Sequence, residues 1–157
     1  MIAGSLAAGI ATALILTLVV FPGATESVIT GSILSASWRS AAMRGIAVPH
    51  WVAVHGVDDV PPGVYRWPDL ASPLRSGDLR AELERIALDQ TLAADAAFVA
   101  IAAVPAEGLD DRTYRDAQLA AGVVEGRLHL AAYALGASAS GMTFLDSEVP
   151  GLLGEPA

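Results

Sequence analysis

The 157-residue chain contains no cysteine and no lysine. Without cysteine there is no disulfide, no thiolate metal site and no cysteine nucleophile, and the redox compartment stays open. All 9 basic residues are arginine, set against 17 acidic ones, for a net charge of −8. That balance disfavours a polyanionic partner, and no arginine patch carries interleaved aromatics, so nucleic acid is not an expected ligand. Gly-x-Ser-x-Gly, His-Glu-x-x-His and Walker-type loops are all missing, which removes the common hydrolase and nucleotide-triphosphatase signatures. Glu125 and His129 stand four apart on one expected helix. With no third ligand they read as an i,i+4 polar pair on a solvent face, and no metal is expected.

Charge is also absent from IAGSLAAGIATALILTLVVF, residues 2–21. That length matches a membrane-spanning helix, but no basic residue precedes the run and the first after it is Arg39. Two readings of residues 1–23 are open: an apolar helix that spans or anchors in a membrane, and a buried segment. Pro22-Gly23 breaks the run, and residues 24–37 read as a Ser-rich linker before a domain over 38–157.

What is present in that domain alternates between strand and helix signals. WVAVHGV (51–57) and VYRW (64–67) are rich in β-branched and aromatic residues, and Pro62-Gly63 between them suits the centre of a type II turn. PDLASPLRSG (68–77) reads as a loop. The stretch 78–90 follows as an amphipathic helix capped by Asp78, with Leu79, Leu83, Ile86 and Gln90 on one stripe. AAFVAIAAV (96–104) is a continuous apolar run between Asp95 and Pro105, which predicts a buried central strand. A second helix is expected over 112–135, where Val124, Leu128, Ala131 and Leu135 repeat at helical spacing and Gly136 ends it. A short strand around Met142 to Leu145, an acidic turn and an apolar helix fragment close the chain.

VAVHGVDDVPPGVYRW, the helix ending at Gln90, the buried strand, YRDAQLAAGVVEGRLHLAAYALG and ALGASASGMTFLDSEVPGLLG together resemble a known family. The likeness is to nitroreductase-like FMN-dependent proteins, and within them to SagB-type dehydrogenases that oxidise azolines in modified peptides. It covers roughly residues 38–154. The resemblance implies an α+β fold with a mixed sheet flanked by helices. It further implies a homodimer, FMN as cofactor with NAD(P)H as a reductant, and a modified peptide or small electron acceptor as substrate. By position, SWRSAAMRG (37–45) resembles the small-residue loop beside the flavin: Ser40, Ala41 and Ala42 for close approach, Arg39 or Arg44 for the phosphate. SGMT (140–143) resembles the turn beside the isoalloxazine ring, with Gly141 giving room and Met142 next to it. Gln90 is the remaining flavin-binding candidate. No catalytic residue is assigned.

The sequence departs from that family at both ends, with no arginine in residues 1–36 and a stop at LLGEPA. The expectation is an incomplete copy of the fold. A cytoplasmic location is expected, with membrane association through residues 2–21 as the alternative. Each candidate also has a plainer role: Arg39 and Arg44 as surface charges, Gln90 as a buried amide bonded to backbone, and His50 and His55 as strand-flanking residues without an acid partner. The competing function is a flavin-free dimerisation or membrane-tethered module built on the same fold.

Overall fold

The structure, a computed structural model, describes residues 10–19 as backbone and residues 48–57, 59–105, 108–134 and 137–154. Six strands form one sheet, β1 (Ile10–Val19), β2 (His50–Val54), β3 (Gly63–Arg66), β4 (Pro73–Ser76), β5 (Phe98–Pro105) and β6 (Ser138–Met142), in the order β4-β3-β2-β5-β1-β6. The helices are α1 (Arg80–Ile86), α2 (Leu92–Asp95), α3 (Asp111–Ala134) and α4 (Val149–Leu153). The α+β architecture is the expected one. Its five strand pairings are all antiparallel, where the resemblance implies a mixed sheet.

Alternation along the strands sorts side chains onto two covered faces. On one, Trp51, Ala53, Val64, Val99 and Ile101 pack with Leu83 and Ile86 of α1 and with Val149, Leu152 and Leu153 of α4. On the other, Val52, Val54, Tyr65, Phe98 and Ala100 meet Val124, Leu128 and Ala132 of α3. Helices on both faces explain why β5 reads as an unbroken apolar run. Each fully buried Leu or Ile contributes about 1.5–3 kcal/mol to that core. The α3 stripe is mostly alanine, so the helix lies close to the sheet.

The apolar run near the N-terminus needs correcting. Residues 10–19 are not a helix: they form β1, paired with β5 on one side and β6 on the other. Ile10, Thr12, Ile15, Thr17 and Val19 are β-branched, and an interior strand of a sheet covered on both faces is as apolar as a membrane helix of the same length. The sheet therefore includes a segment well before residue 38. Among the described residues no helix is long and apolar enough to cross a membrane. The linker expected at 24–37 lies outside the described residues.

Smaller departures have local causes. Residues 73–76 of the expected loop form β4, an edge strand that begins on Pro73, a position where the missing N–H costs nothing. Gly63 is the first residue of β3 and not the centre of a type II turn; the left-handed residue in this connection is Asp59, with φ 61°, between the bridged Val57 and Val60. The helix expected over 78–90 stops at Ile86, because Leu88 and Asp89 both adopt left-handed φ values of about 60°. Asp78 accepts from the Arg80 backbone N–H at 3.0 Å, yet the N-cap position belongs to Leu79. The last strand lies at Ser138–Met142, somewhat before the expected Met142–Leu145. Helix α3 begins on a reciprocal cap: the Thr113 N–H donates to Asp110 Oδ1 at 2.7 Å, and the Asp110 N–H donates to Thr113 Oγ1 at 3.0 Å. Gly136, its expected terminator, lies outside the described residues.

One arginine ties three elements together. Arg75 of β4 donates to both carboxylate oxygens of Glu82 in α1, at 3.0 and 2.8 Å, and to the Gly151 and Leu152 carbonyls of α4, at 3.0 and 3.2 Å. The planar guanidinium fork matches a carboxylate in two bonds, and carbonyls at a helix C-terminus are natural acceptors for a cation. The edge strand is held in place by this clamp.

Candidate functional site

The SGMT segment expected as a turn is the end of strand β6, and it lies along the seam between α3 and β6. Odd-numbered residues of β6 face α3: Ala139 packs with the α3 cluster, while Met142 is buried in the cluster on the opposite face. Gly141 therefore presents its Cα toward α3. The space over it is already filled. A Cβ built on Gly141 would stand 2.0 Å from Oε1 and 3.2 Å from Cδ of Glu125. Glu125 is half-buried and lies one helical step from Ala121 and Leu128 on the border of the stripe facing the sheet.

His50 enters the same region from β2. It is 3 % exposed, and it lines a shallow hollow with Ala100, Ala102, Ala121, Val124, Glu125 and Leu128. Burial lowers its pKa to about 4, with a hydrogen bond to the Val48 backbone acting in the opposite direction. A second hollow of similar size lies further along α3, between Val48, Val104 and Gln118. Each has about 10 Å³ of free space, room for about one water, far short of a typical organic ligand site of about 300–1,000 Å³. His55, at the end of β2, is also buried; its Nδ1 donates to the Ala96 carbonyl at 3.0 Å, and burial again lowers its pKa.

Of the candidates drawn from the sequence, Gln90, Gly141 and Met142 lie within the described residues. Arg39, Ser40, Ala41, Ala42 and Arg44 lie outside the described residues. Gln90 is exposed after α1 instead of sitting on its apolar stripe, and its Nε2 donates to the Ala87 carbonyl at 2.9 Å. Met142 is a core residue beneath α1 and α4. Gly141 makes room for Glu125, not for a ring. The Glu125 and His129 pair is not a ligand pair either, since His129 Nδ1 donates to the Glu125 backbone carbonyl at 3.1 Å and its ring meets Tyr133 edge-on at 6.3 Å. Among the described residues no group of three His, Asp or Glu side chains is placed to hold a metal ion.

Sequence reasoning placed Glu125 on a solvent face and so missed the group that occupies the seam. The signal was available: position 125 is i+4 from Ala121 and i−3 from Leu128, both buried.

No family model matches the chain, and no curated protein matches it. Among solved structures it resembles the crystal structure of a "putative nitroreductase" from Anabaena variabilis, with a TM-score of 0.69 and 27% sequence identity. The match covers 82% of this chain and 30% of that one, so this chain spans less than a third of that protein's length. The antiparallel sheet, its helices on both faces and this likeness agree: the chain has a nitroreductase-like α+β fold.

Proposed function

We propose that the chain is a nitroreductase-like oxidoreductase domain that uses FMN, with NAD(P)H as reductant, and acts on azoline-containing peptides or small electron acceptors in the manner of SagB-type dehydrogenases. The observation that carries this reading is the 27% identity to the Anabaena protein over 82% of the chain. Identity at that level, on a shared fold, supports a common class of chemistry; the substrate rests on the motif resemblance alone. A flavin would supply the electron chemistry, and this chain would supply binding and orientation. The residues left to hold its phosphate are Arg39 and Arg44.

The filled space over Gly141 favours a second reading, a flavin-free module. Titration with FMN, followed by quenching of flavin fluorescence, separates the two. The flavin reading expects saturable binding that the Arg39→Ala, Arg44→Ala double variant weakens by about 1.5–3 kcal/mol for each charge-assisted hydrogen bond lost. A purified chain that quenches no FMN is the flavin-free module.

Both readings include self-association. Leu119, Leu130 and Tyr133 of α3 are 53%, 70% and 59% exposed, and at 100° per residue they share the outer face of the helix with Gly122 and Gly126. The space beside both glycines is open, so a second helix can approach closely there. Light scattering is expected to give twice the chain mass, reverting to the monomer in a Leu130→Glu, Tyr133→Glu variant. A wild-type monomer at tens of micromolar would remove the dimer from the proposal.

A further inference from the structure

We infer that the outer edge of β6, together with Glu125, is a docking site for an extended basic segment of another protein, which adds a further strand to the sheet and sets an arginine or lysine against the Glu125 carboxylate. Among the described residues β6 pairs with β1 and has no strand on its other side. Alternate residues of an edge strand direct their N–H and C=O groups outward, so such an edge is a template for another strand. The two edges of this sheet differ. β4 begins on Pro73, carries Arg75 and pairs with β3 through an irregular register, features that discourage pairing. β6 reads SASGM, with no charge and no proline, and its register with β1 runs unbroken from Ser138 to Met142. Its edge is unguarded.

Glu125 decides what kind of strand fits. Its Oε1 occupies the place a Gly141 Cβ would take, which puts the carboxylate beside an exposed residue of the edge strand. The side chain is half-buried, and no described residue gives its carboxylate a hydrogen bond or an ion pair. A strand laid along β6 removes more water from this acid. Covering an unpaired carboxylate is costly unless a cation arrives with the cover. A second copy of β6 brings none, since its residues are all uncharged. An acidic segment adds repulsion to a chain of net charge −8. A basic segment supplies the missing partner. In a paired strand the residue opposite Gly141 has its Cβ about 4.5–5.5 Å away on the same face, the one turned to α3. From there an arginine or lysine reaches the carboxylate, and Ala139, the next β6 residue on that face, is too small to interfere. The site needs no flavin.

The test is amide NMR of the isotope-labelled full chain, titrated with a five-residue peptide of alternating threonine and valine around a central arginine. The peptide is expected to shift the amides of Ser138–Met142 and to saturate. The same peptide with glutamate at its centre is expected to bind at least about tenfold more weakly. Methylation of every peptide nitrogen, which keeps the charge and removes the ladder donors, is expected to abolish the β6 shifts. Glu125→Gln, which keeps the bulk and removes the charge, is expected to weaken the arginine peptide about fivefold. The peptide comparisons use the unmodified chain, so they decide the matter even if that variant does not fold. Shifts that survive methylation, or that scatter over the acidic surface and leave β6 unmoved, overturn the inference. So does binding that a folded Glu125→Gln chain keeps within about twofold. An arginine peptide that shifts nothing at about millimolar concentration overturns it as well. β6 shifts that follow chain concentration with no peptide present would mark a second copy on the edge, and they too overturn it.

Discussion

Replacing Gly63 with alanine is expected to cost the fold about 2–3 kcal/mol, whereas the same change at Gly141 is expected to cost less than about 1 kcal/mol. Both glycines lie in strands and both have an atom inside contact distance of a built Cβ. The difference is what that atom belongs to. At Gly63 it is the backbone carbonyl oxygen of Arg75, 2.4 Å away. The β3–β4 register slips between Val64 and Tyr65, pairing Gly63 with Ser76 and Tyr65 with Pro73, and that irregularity accompanies the approach of the Arg75 carbonyl. Relief requires β4 to move, and β4 is pinned through the Arg75 guanidinium to Glu82 and to the end of α4. At Gly141 the neighbour is the tip of Glu125, which can turn away, and an alanine in a strand regains some of the entropy that glycine gives up on folding. Urea unfolding of the two variants checks the contrast. A Gly63→Ala chain within about 0.5 kcal/mol of wild type would mean that the β3–β4 edge is looser than this packing implies.

Gly63 also shows where the sequence was legible and where it was not. Pro62-Gly63 marks a break between strands, and a break is there. The dipeptide pattern assigns the glycine to a positive φ, but its role is to admit a carbonyl from a strand ten or more residues away, which no local pattern encodes. The strands at 50–54, 63–66 and 98–105 and the helix at 111–134 were legible because period and boundary residues agree with burial. β1 was not. β5 carries Asp95 before it and Pro105 at its end, which fix its length, whereas the run before Pro22 has no such boundary and is long enough to read as a helix. Gln90 fell out of register with its stripe because two left-handed residues end α1 before it, and neither Leu88 nor Asp89 is a glycine that would announce them.

The candidate site was legible only as a location. Gly141 of SGMT does face the long helix, but it does so from a strand, and its neighbour Met142 faces the other way. What fills the space is a side chain sixteen positions earlier in the sequence, and its orientation is set by the packing of α3 on the sheet. The likeness to a nitroreductase and the closed seam are compatible once fold and site are kept apart, because the fold needs only the alanine stripe of α3 against β2 and β5.

The other large effect expected is on stability in acid. His50 is almost wholly buried on β2 beneath α3, and burial holds its pKa at about 4 against an ordinary value of 6.5. The unfolded chain takes up its proton near pH 6.5, while the folded chain refuses it until about pH 4. Protons therefore bind preferentially to the unfolded state between those values, so the full stability is present above pH 6.5 and is lost as the pH falls toward 4. The loss attributable to His50 is about 2 kcal/mol by pH 5 and about 3 kcal/mol by pH 4. His55 adds to it in the same direction, because burial lowers its pKa too; the nearby Arg80 lowers it further, and the Ala96 hydrogen bond and Asp78 act against the shift. The window from pH 7 to 5 is the useful one, since the pKa of Asp110 is lowered by Thr113 and that of Glu148 by Arg85, so both stay ionised there. Urea unfolding measured across that window is expected to show the fall in wild type and a visibly flatter profile in His50→Leu, which fills the site with an apolar side chain that cannot titrate. A wild-type stability that is level from pH 7 to 5 would mean that His50 reaches solvent and that α3 does not cover β2 as closely as its alanine stripe allows.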